Sequence, residues 1–409
     1  MDKDTAVRNG WRQCTLGEVL TLQRGFDLPE RKRRPGAVPI ISSSGVTGYH
    51  DTAKVRAPGV VTGRYGTLGD VFYITEDFWP LNTALYVRDF KGNDPRFISY
   101  FLRTLNLARQ NVAGAVPGVN RNVLHMLAVS IPPLPLQRII ASTLAAYDDL
   151  IENNMRRIAN LEERARLLYD EWFVRFRFPG HERVRLVESE VGMVPQGWKI
   201  VKLGDVIEFA YGKALKAQER MPGSVPVYGS SGIVGYHDES LVRGPGVIVG
   251  RKGNVGTVYW SETDFYPIDT VFYVRTDLSL PYVYYNLQGQ RFLNSDAAVP
   301  GLRRAQAYLL DLLKPPDELL RRFEHWARPL FREKALLERT NVMLRRTRDR
   351  LLPGLIAGEI DVSGWIERKE PAMLEIATRR ARPLRRVAEA AGEYEPGECA
   401  GVEWKSLWE

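Results

Sequence analysis

Donor-rich side chains set among glycines occur in two stretches of the chain, and their types suit contact with a polyanion. The first stretch carries Arg24, the run Arg31-Lys32-Arg33-Arg34, Ser42, Ser43, Ser44, Tyr49, His50, Arg64 and Tyr65. The second carries Lys213, Lys216, Arg220, Ser230, Ser231, Tyr236, His237, Arg251 and Lys252. Arginine offers a planar fork for guanine O6 and N7 or for phosphate, while serine and tyrosine hydroxyls fix position on a nucleic-acid backbone. Neighbouring glycines let the main chain come close to a ligand. Arg64 and Arg251 stand apart because each sits at the same place in a doubled frame, Gly63-Arg64-x-Gly66-x-x-Gly69 and Gly250-Arg251-x-Gly253-x-x-Gly256. For these two, DNA contact and a solvated charge both stay open; for any other single basic residue the solvated charge is the better reading.

Catalytic chemistry finds little support. There is no phosphate-cradling G-x-x-x-x-G-K-[ST], and the glycine frames do not fit the dinucleotide fingerprint in context. The pairs Pro132-Pro133 and Pro315-Pro316 are flanked as Ile-Pro-Pro-Leu and Lys-Pro-Pro-Asp, unlike the Asn/Asp-Pro-Pro-aromatic site of an amino-methyltransferase; they suit a strand-to-helix junction. His50-Asp51 and His237-Asp238 invite an acid-base reading, but no nucleophile repeats beside them and a structural turn is favoured. Pro316-Asp317-Glu318 hints at a nuclease motif without the lysine that should follow. Neither a catalytic nor a metal site is expected.

The elements that must hold these residues are written twice. Trp11 to Arg88 aligns without a gap on Trp198 to Arg275 at an offset of 198 − 11 = 187, with about 35 of 78 positions identical. Later the register changes: Ala115-Val-Pro-Gly matches Ala298-Val-Pro-Gly and Pro132 matches Pro315, an offset of 315 − 132 = 183. Short apolar runs such as Val60-Val61, Val71-Phe72-Tyr73 and Thr83 to Val87, broken by Gly and Pro, predict several short strands. Helical stretches follow at Pro95 to Arg109 and Pro281 to Leu293, giving a mixed α/β (α+β) domain in each copy.

Past each proline pair the apolar period lengthens. Ile140, Leu144, Tyr147, Ile151, Asn154, Ile158, Leu161, Ala165, Leu168 and Trp172 alternate by four and three, a coiled-coil seam. A helix from about Leu136 to Phe173 would span roughly 55 Å. The second seam runs through Phe323, Ala327, Leu330, Lys334, Leu337, Asn341, Leu344 and Leu351, and Pro329 is expected to kink or split it. Polar Asn154, Lys334 and Asn341 either fix the register or sit at the seam's edge. Connectivity requires the second helix to run back along the first, so the fold expected is two similar domains separated by a pair of long antiparallel coiled-coil helices, with a pseudo-two-fold internal repeat.

Composition agrees with an ordinary folded protein of more than one domain: 409 residues, 44% hydrophobic and 26% charged. No apolar run is long enough to span a bilayer, the start MDKDTAVRNGW is no secretion signal, and two cysteines make no disulfide framework, so a cytoplasmic protein without a membrane partner is expected. A net charge of +8 makes a polyanion a plausible partner.

The order of parts resembles the specificity subunits of type I restriction-modification systems. The residues that carry the resemblance are Pro132-Pro-Leu-Pro-Leu-Gln-Arg-Ile-Ile-Ala141, Pro315-Pro-Asp-Glu-Leu-Leu-Arg-Arg-Phe323, Trp-x5-Leu-Gly-[Asp/Glu]-Val opening each copy, Val194-Pro-Gln-Gly-Trp198, and Arg350-Leu-Leu-Pro-Gly-Leu-Ile-Ala-Gly-Glu-Ile360. It covers about residues 11 to 363. It implies target-recognition domains at 1–131 and 198–314, helical spacers at 132–178 and 315–363, a linker at 179–197, and an extension at 364–409 carrying Arg379, Arg380, Arg382, Arg385 and Arg386. It further implies a non-catalytic reader of double-stranded DNA with a bipartite site, docking two methyltransferase subunits and two restriction subunits. S-adenosylmethionine, ATP and magnesium would belong to those partners, with no cofactor in this chain. Asn120-Arg121 and Arg303-Arg304, ahead of the proline pairs, join the candidate DNA contacts. Two departures stand out: Leu320 replaces the helix-opening glutamine found at Gln137, and Arg303 replaces Asn120. A DNA-recognition scaffold without a restriction subunit is the alternative, and a nuclease the remote one. Because Arg31 to Arg34 becomes Gln218-Glu219-Arg220-Met221, the half-sites are expected to form only a partial palindrome.

Overall fold

The computed structural model describes residues 10–107, 118–292, 301–362 and 364. The Ala115 and Ala298 motifs, the ends of the two helical stretches past residues 107 and 292, and the arginine-rich extension therefore lie outside the described residues, apart from Gly118, Gly301 and Gly364. The chain divides into two compact units, residues 1–149 with 345–409, and residues 150–344.

The first unit opens with β1 (Arg12–Thr15), α1 (Leu16–Val19), β2 (Thr21–Arg24), β3 (Val38–Ser42), β4 (Gly45–His50), β5 (Gly59–Gly63), β6 (Val71–Ile74), β7 (Trp79–Pro80) and β8 (Ala84–Asp89). Then come α2 (Pro95–Thr104), α3 (Arg121–His125), β9 (Ala128–Ile131) and the start of α4 (Leu134–Tyr169). The second unit continues α4, adds a hairpin of β10 (Leu186–Ser189) and β11 (Gly192–Pro195), then repeats the first with β12 (Lys199–Lys202), α5 (Leu203–Val206), β13 (Glu208–Tyr211), β14 (Val225–Gly229), β15 (Gly232–His237), β16 (Gly246–Gly250), β17 (Val258–Ser261), β18 (Tyr266–Pro267) and β19 (Val271–Arg275). It closes with α6 (Leu280–Gly289), α7 (Arg304–Tyr308), β20 (Asp311–Lys314) and most of α8 (Asp317–Ile356), whose last turns belong to the first unit.

The sheets match strand for strand. The first unit has sheets ordered β1-β9, β2-β8-β5-β6 and β4-β3-β7; the second has β12-β20, β13-β19-β16-β17 and β15-β14-β18. In each four-stranded sheet the central strand β5 or β16 is buried along its whole length, as expected for Gly-Val-Val-Thr-Gly and Gly-Val-Ile-Val-Gly covered on both faces. Helix α2 is started by Asp94, whose carboxylate accepts the Phe97 amide at 2.8 Å, and by Pro95 in the first turn. It lays Phe97, Ile98 and Leu102 on Val60 and Leu85, and the same core takes Leu136, Ile140 and Leu144 of α4 and Leu355 of α8. In the second unit Phe209, Val247, Val249, Phe272 and Tyr282 share a core with Ala165 of α4 and with Leu320, Phe323 and Ala327 of α8. Each four-stranded sheet thus shares the core on one of its faces with a segment of both long helices.

Every seam residue predicted on α4 and α8 is buried or half-buried. Within the second unit, the Asn154 amide donates to Asn341 Oδ1 at 2.9 Å, Asn341 donates to the Ile151 carbonyl, Arg157 pairs with Glu333, and Lys334 pairs with Glu162 at 2.6 Å. Going along α4 from Ile151 to Glu162, the partners on α8 move back toward its start, so this stretch runs antiparallel. Asn154 and Asn341 are each 3% exposed, inside the seam and bonded to one another rather than at its edge.

Pro329 does not split the helix: α8 is continuous over 40 residues through it. The proline ring faces solvent, while its neighbours are held on both sides. Ala327 and Phe331 are buried, Phe331 lies 4.4 Å from the Trp260 ring, and the Arg328 guanidinium donates twice to Glu262 at 2.8 and 3.0 Å. Those contacts carry the helix past the missing N–H.

Candidate nucleic-acid interface

Five of the residues singled out in the first copy meet in one place. Arg24, Arg64, Tyr65, Asn120 and Arg121, with Gln23, Gly25, Phe26, Leu85, Gly118 and Val119, line a cleft of about 750 Å³. The glycine frame explains how. A Cβ at Gly63 would lie 1.9 Å from the Thr67 carbonyl oxygen, and at Gly250 it would lie 2.0 Å from that of Asn254, so only glycine lets the loop fold back on the strand end. Gly66 and Gly253 then turn with φ of +79° and +77°. The loop is pinned from the other side as well, since the Val119 amide donates to the Arg64 carbonyl at 3.0 Å and the Leu302 amide to that of Arg251 at 2.8 Å.

The central arginine is held identically in both copies. Arg64 Nη1 donates to the Asn82 carbonyl at 3.5 Å and Arg251 Nη1 to the equivalent Asp269 carbonyl at 2.9 Å. Each guanidinium also stacks on a tyrosine, Arg64 at 4.5 Å from the Tyr65 centroid and Arg251 at 5.0 Å from that of Tyr211. Stacking and one carbonyl bond fix the plane of the fork while committing one of its five donors. Arg304 also lies over Tyr211, at 5.1 Å. A charged ion pair flanks each site: Arg24 with Asp27 at 3.0 Å, and Lys252 with Asp269 at 3.5 Å.

Asn120 has a local role. It is the residue before α3, and its side chain accepts the Asn122 amide at 2.9 Å, capping the helix; Arg303 stands at the same place before α7 and makes no such bond. Arg121, Arg303 and Arg304 are exposed. Ser43 and Ser230 sit against the turn glycines, close enough that a Cβ at Gly66 or Gly253 would be 3.6 or 3.2 Å from their hydroxyls. Ser44, Ser231 and Lys213 are exposed nearby in sequence, and Tyr49 and Tyr236 are exposed on β4 and β15.

Four sequence candidates turn inward instead. Arg33 and its counterpart Arg220 donate to the Thr47 and Val234 carbonyls at 3.3 and 2.6 Å, bracing the hairpins of β4 and β15. His50 is 4% exposed; its Nδ1 accepts the Arg34 amide at 3.0 Å and its ring meets Trp79 edge-on. His237 repeats this with the Met221 amide at 3.0 Å and with Tyr266. Both rings therefore staple a turn, each with its Nδ1 taken by a main-chain amide. Asp51, beside His50, is paired with Arg34, and that bond holds its carboxyl below the usual carboxylate range. Arg31, Lys32, Arg34 and Lys54 line a second, shallower cleft with His50 and Trp79, whereas Gln218, Glu219, Met221 and Leu241 hold the matching positions in the second copy.

The residues that sequence reasoning missed are Gln23, Asp27, Asn82, Tyr211 and Asp269. Tyr211 had one usable signal: the 187 offset places it on Arg24, so a ring replaces a cation at the end of matching strands. Among the described residues no cluster of three or more His, Cys, Asp or Glu could hold a metal, and no helix is long and apolar enough to cross a membrane.

Comparison with known proteins gives a consistent result. The model of the type I restriction modification DNA specificity domain matches residues 8–163 and 195–296, together more than half of the chain. The MjaIX type I restriction enzyme specificity subunit of Methanocaldococcus jannaschii is 23% identical over 327 residues, covering 69% of this chain and 74% of that one. The MjaVIII specificity subunit of the same organism is 28% identical over 123 residues, 30% of this chain and 28% of that one. In fold, the type I restriction-modification S subunit of M. genitalium matches with a TM-score of 0.63 at 16% identity, over 89% of this chain and 99% of that one. The chain belongs to the type I restriction-modification specificity subunits, the non-catalytic DNA-recognition components of those systems.

Proposed function

We propose that this chain reads a bipartite DNA site, with residues 1–131 and 198–314 as two target-recognition domains, 132–178 and 315–363 as a helical spacer, and 179–197 as the linker. The observation that carries this reading is the arginine of the doubled glycine frame, held by the same carbonyl bond and the same kind of tyrosine stack in both copies. Two matching donor sites on one chain suit a target with two parts. Helix α4 has 36 residues, roughly 54 Å of rise, more than one turn of DNA at about 34 to 36 Å. Taken as a coiled coil with an approximate two-fold axis, α4 and α8 would offer the readers to opposite strands and keep a nonspecific spacer between the half-sites. Two methyltransferase subunits, and two restriction subunits where the system has them, would dock on this frame in the cytoplasm. S-adenosylmethionine, ATP and magnesium would be theirs.

The test is equilibrium binding of the full chain to cognate and scrambled duplexes across a salt series, for Arg64→Ala and Arg251→Ala. If each guanidinium reads a base, specific binding weakens by about 1–3 kcal/mol and nonspecific binding holds. If it meets phosphate, both fall together and the salt slope becomes shallower. No change in either would remove these residues from the interface.

A further inference from the structure

The sites around Arg64 and Arg251 hold the same parts in exchanged places. In the first, the ring under the central arginine is Tyr65, in the glycine loop, and the flanking cation is Arg24, on β2, paired with Asp27. In the second, the ring is Tyr211, which corresponds to Arg24, and the cation is Lys252, which corresponds to Tyr65. The acid moves with the cation. Asp27 becomes Ala214, while Asn82, whose amide donates to Asp27, becomes Asp269, the partner of Lys252. Each copy thereby keeps its central arginine stacked on a tyrosine and an ion pair beside it, although four positions differ. Changing any one of them alone would strand a charge or remove a partner.

We infer that this exchanged quartet, Arg24, Asp27, Tyr65 and Asn82 against Tyr211, Ala214, Lys252 and Asp269, sets the difference in base preference between the two half-sites, while Arg64 and Arg251 make the contact that both share. The inference rests on the DNA-reading role proposed above. The chemistry on either side of the central fork is what changes. The Arg64 site puts a planar guanidinium on the strand side and a phenol on the loop side; the Arg251 site puts a phenol on the strand side and a single ammonium on the loop side. A bidentate fork favours guanine O6 and N7, an ammonium supplies a point donor, and a ring edge suits the thymine methyl or a sugar. Arg304 over Tyr211 adds a second guanidinium on the strand side of the Arg251 site.

The test maps modified bases across the genome of cells carrying the full chain with its methyltransferase subunits. Wild type is compared with Arg24→Tyr/Asp27→Ala/Tyr65→Lys/Asn82→Asp and with the reciprocal Tyr211→Arg/Ala214→Asp/Lys252→Tyr/Asp269→Asn. Each variant keeps an ion pair and a stack, and should one not accumulate, the other decides. The expected result is a change of about tenfold or more in relative modification at bases of one half-site, with the other half-site and the spacer untouched. A wild-type motif that the accumulating variants leave unchanged overturns this inference alone. A wild type with no two-part motif overturns the DNA-reading proposal and this inference with it.

Discussion

At the scale of single residues, the duplication lets one copy act as the control for the other. His125 Nε2 accepts the Leu22 amide at 2.9 Å, and in the second unit the Tyr308 hydroxyl accepts the Phe209 amide at 3.0 Å. A neutral imidazole is needed for this bond, and burial, helped by the Arg121 and Lys91 charges, lowers the His125 pKa from about 6.5. The unfolded chain then binds the proton more readily than the folded one, so the stability that His125 contributes is complete above pH 6.5 and is lost as pH falls toward its folded value. His125→Tyr, which copies the second unit, should shrink the drop in melting temperature between pH 7.5 and 5.5. An unaltered drop would show that this imidazole does not sense acid. The residue scale was also where the sequence was least legible. The glycine frame singled out Arg64 and Arg251 because backbone chemistry repeats with fixed spacing. His50 and Arg33 looked like donors for a ligand only because sequence cannot show that His50 Nδ1 accepts the Arg34 amide and that Arg33 Nη1 is turned to the Thr47 carbonyl. Tyr211 escaped notice because its partner arginine is distant in the chain.

At the scale of elements, periodicity was legible and interruption was not. The four-and-three spacing placed every seam residue at a buried or half-buried position, because the period of an apolar stripe is a property of the helix alone. Pro329 misled because whether a helix breaks depends on what grips its flanks, here Glu262 and Trp260 from elsewhere in the fold. Since its ring is exposed, Pro329→Ala should raise stability by about 1–3 kcal/mol, read as a higher melting temperature. A fall would mean that the proline packs or bends the helix usefully. The asparagine pair gives a second prediction. Asn154→Leu alone strands the buried Asn341 Oδ1 and should cost about 1–3 kcal/mol, while Asn154→Leu with Asn341→Leu should recover that loss in a denaturant titration. A double variant no more stable than the single one would mean that the pair does not act as a unit. Lys334 beside them is half-buried; burial alone would lower its pKa, but the hydrogen bond it donates to Glu162 and the nearby Glu338 charge outweigh it, so the net shift is upward and the ammonium is retained.

At the scale of the whole molecule, the repeat was the most legible feature of all. An offset of 187 from Trp11 to Arg88 corresponds to two sets of sheets with the same strand order, because the identities include glycines and prolines that bound the strands as well as apolar positions within them. Two of the differences between the copies change the chemistry offered to a ligand: the basic residues Arg31, Lys32, Arg34 and Lys54 have no basic counterparts, and the flanking quartet is exchanged. A molecule with two frames alike and two surfaces unlike should recognise half-sites that share some base preference in inverted orientation and differ elsewhere. Genome-wide mapping of bases modified by the complex that contains this chain tests that claim most directly. The structure predicts one motif in two short defined halves, partly palindromic and separated by a spacer of constant length and free sequence. A single uninterrupted motif, or modification that ignores sequence, would contradict it.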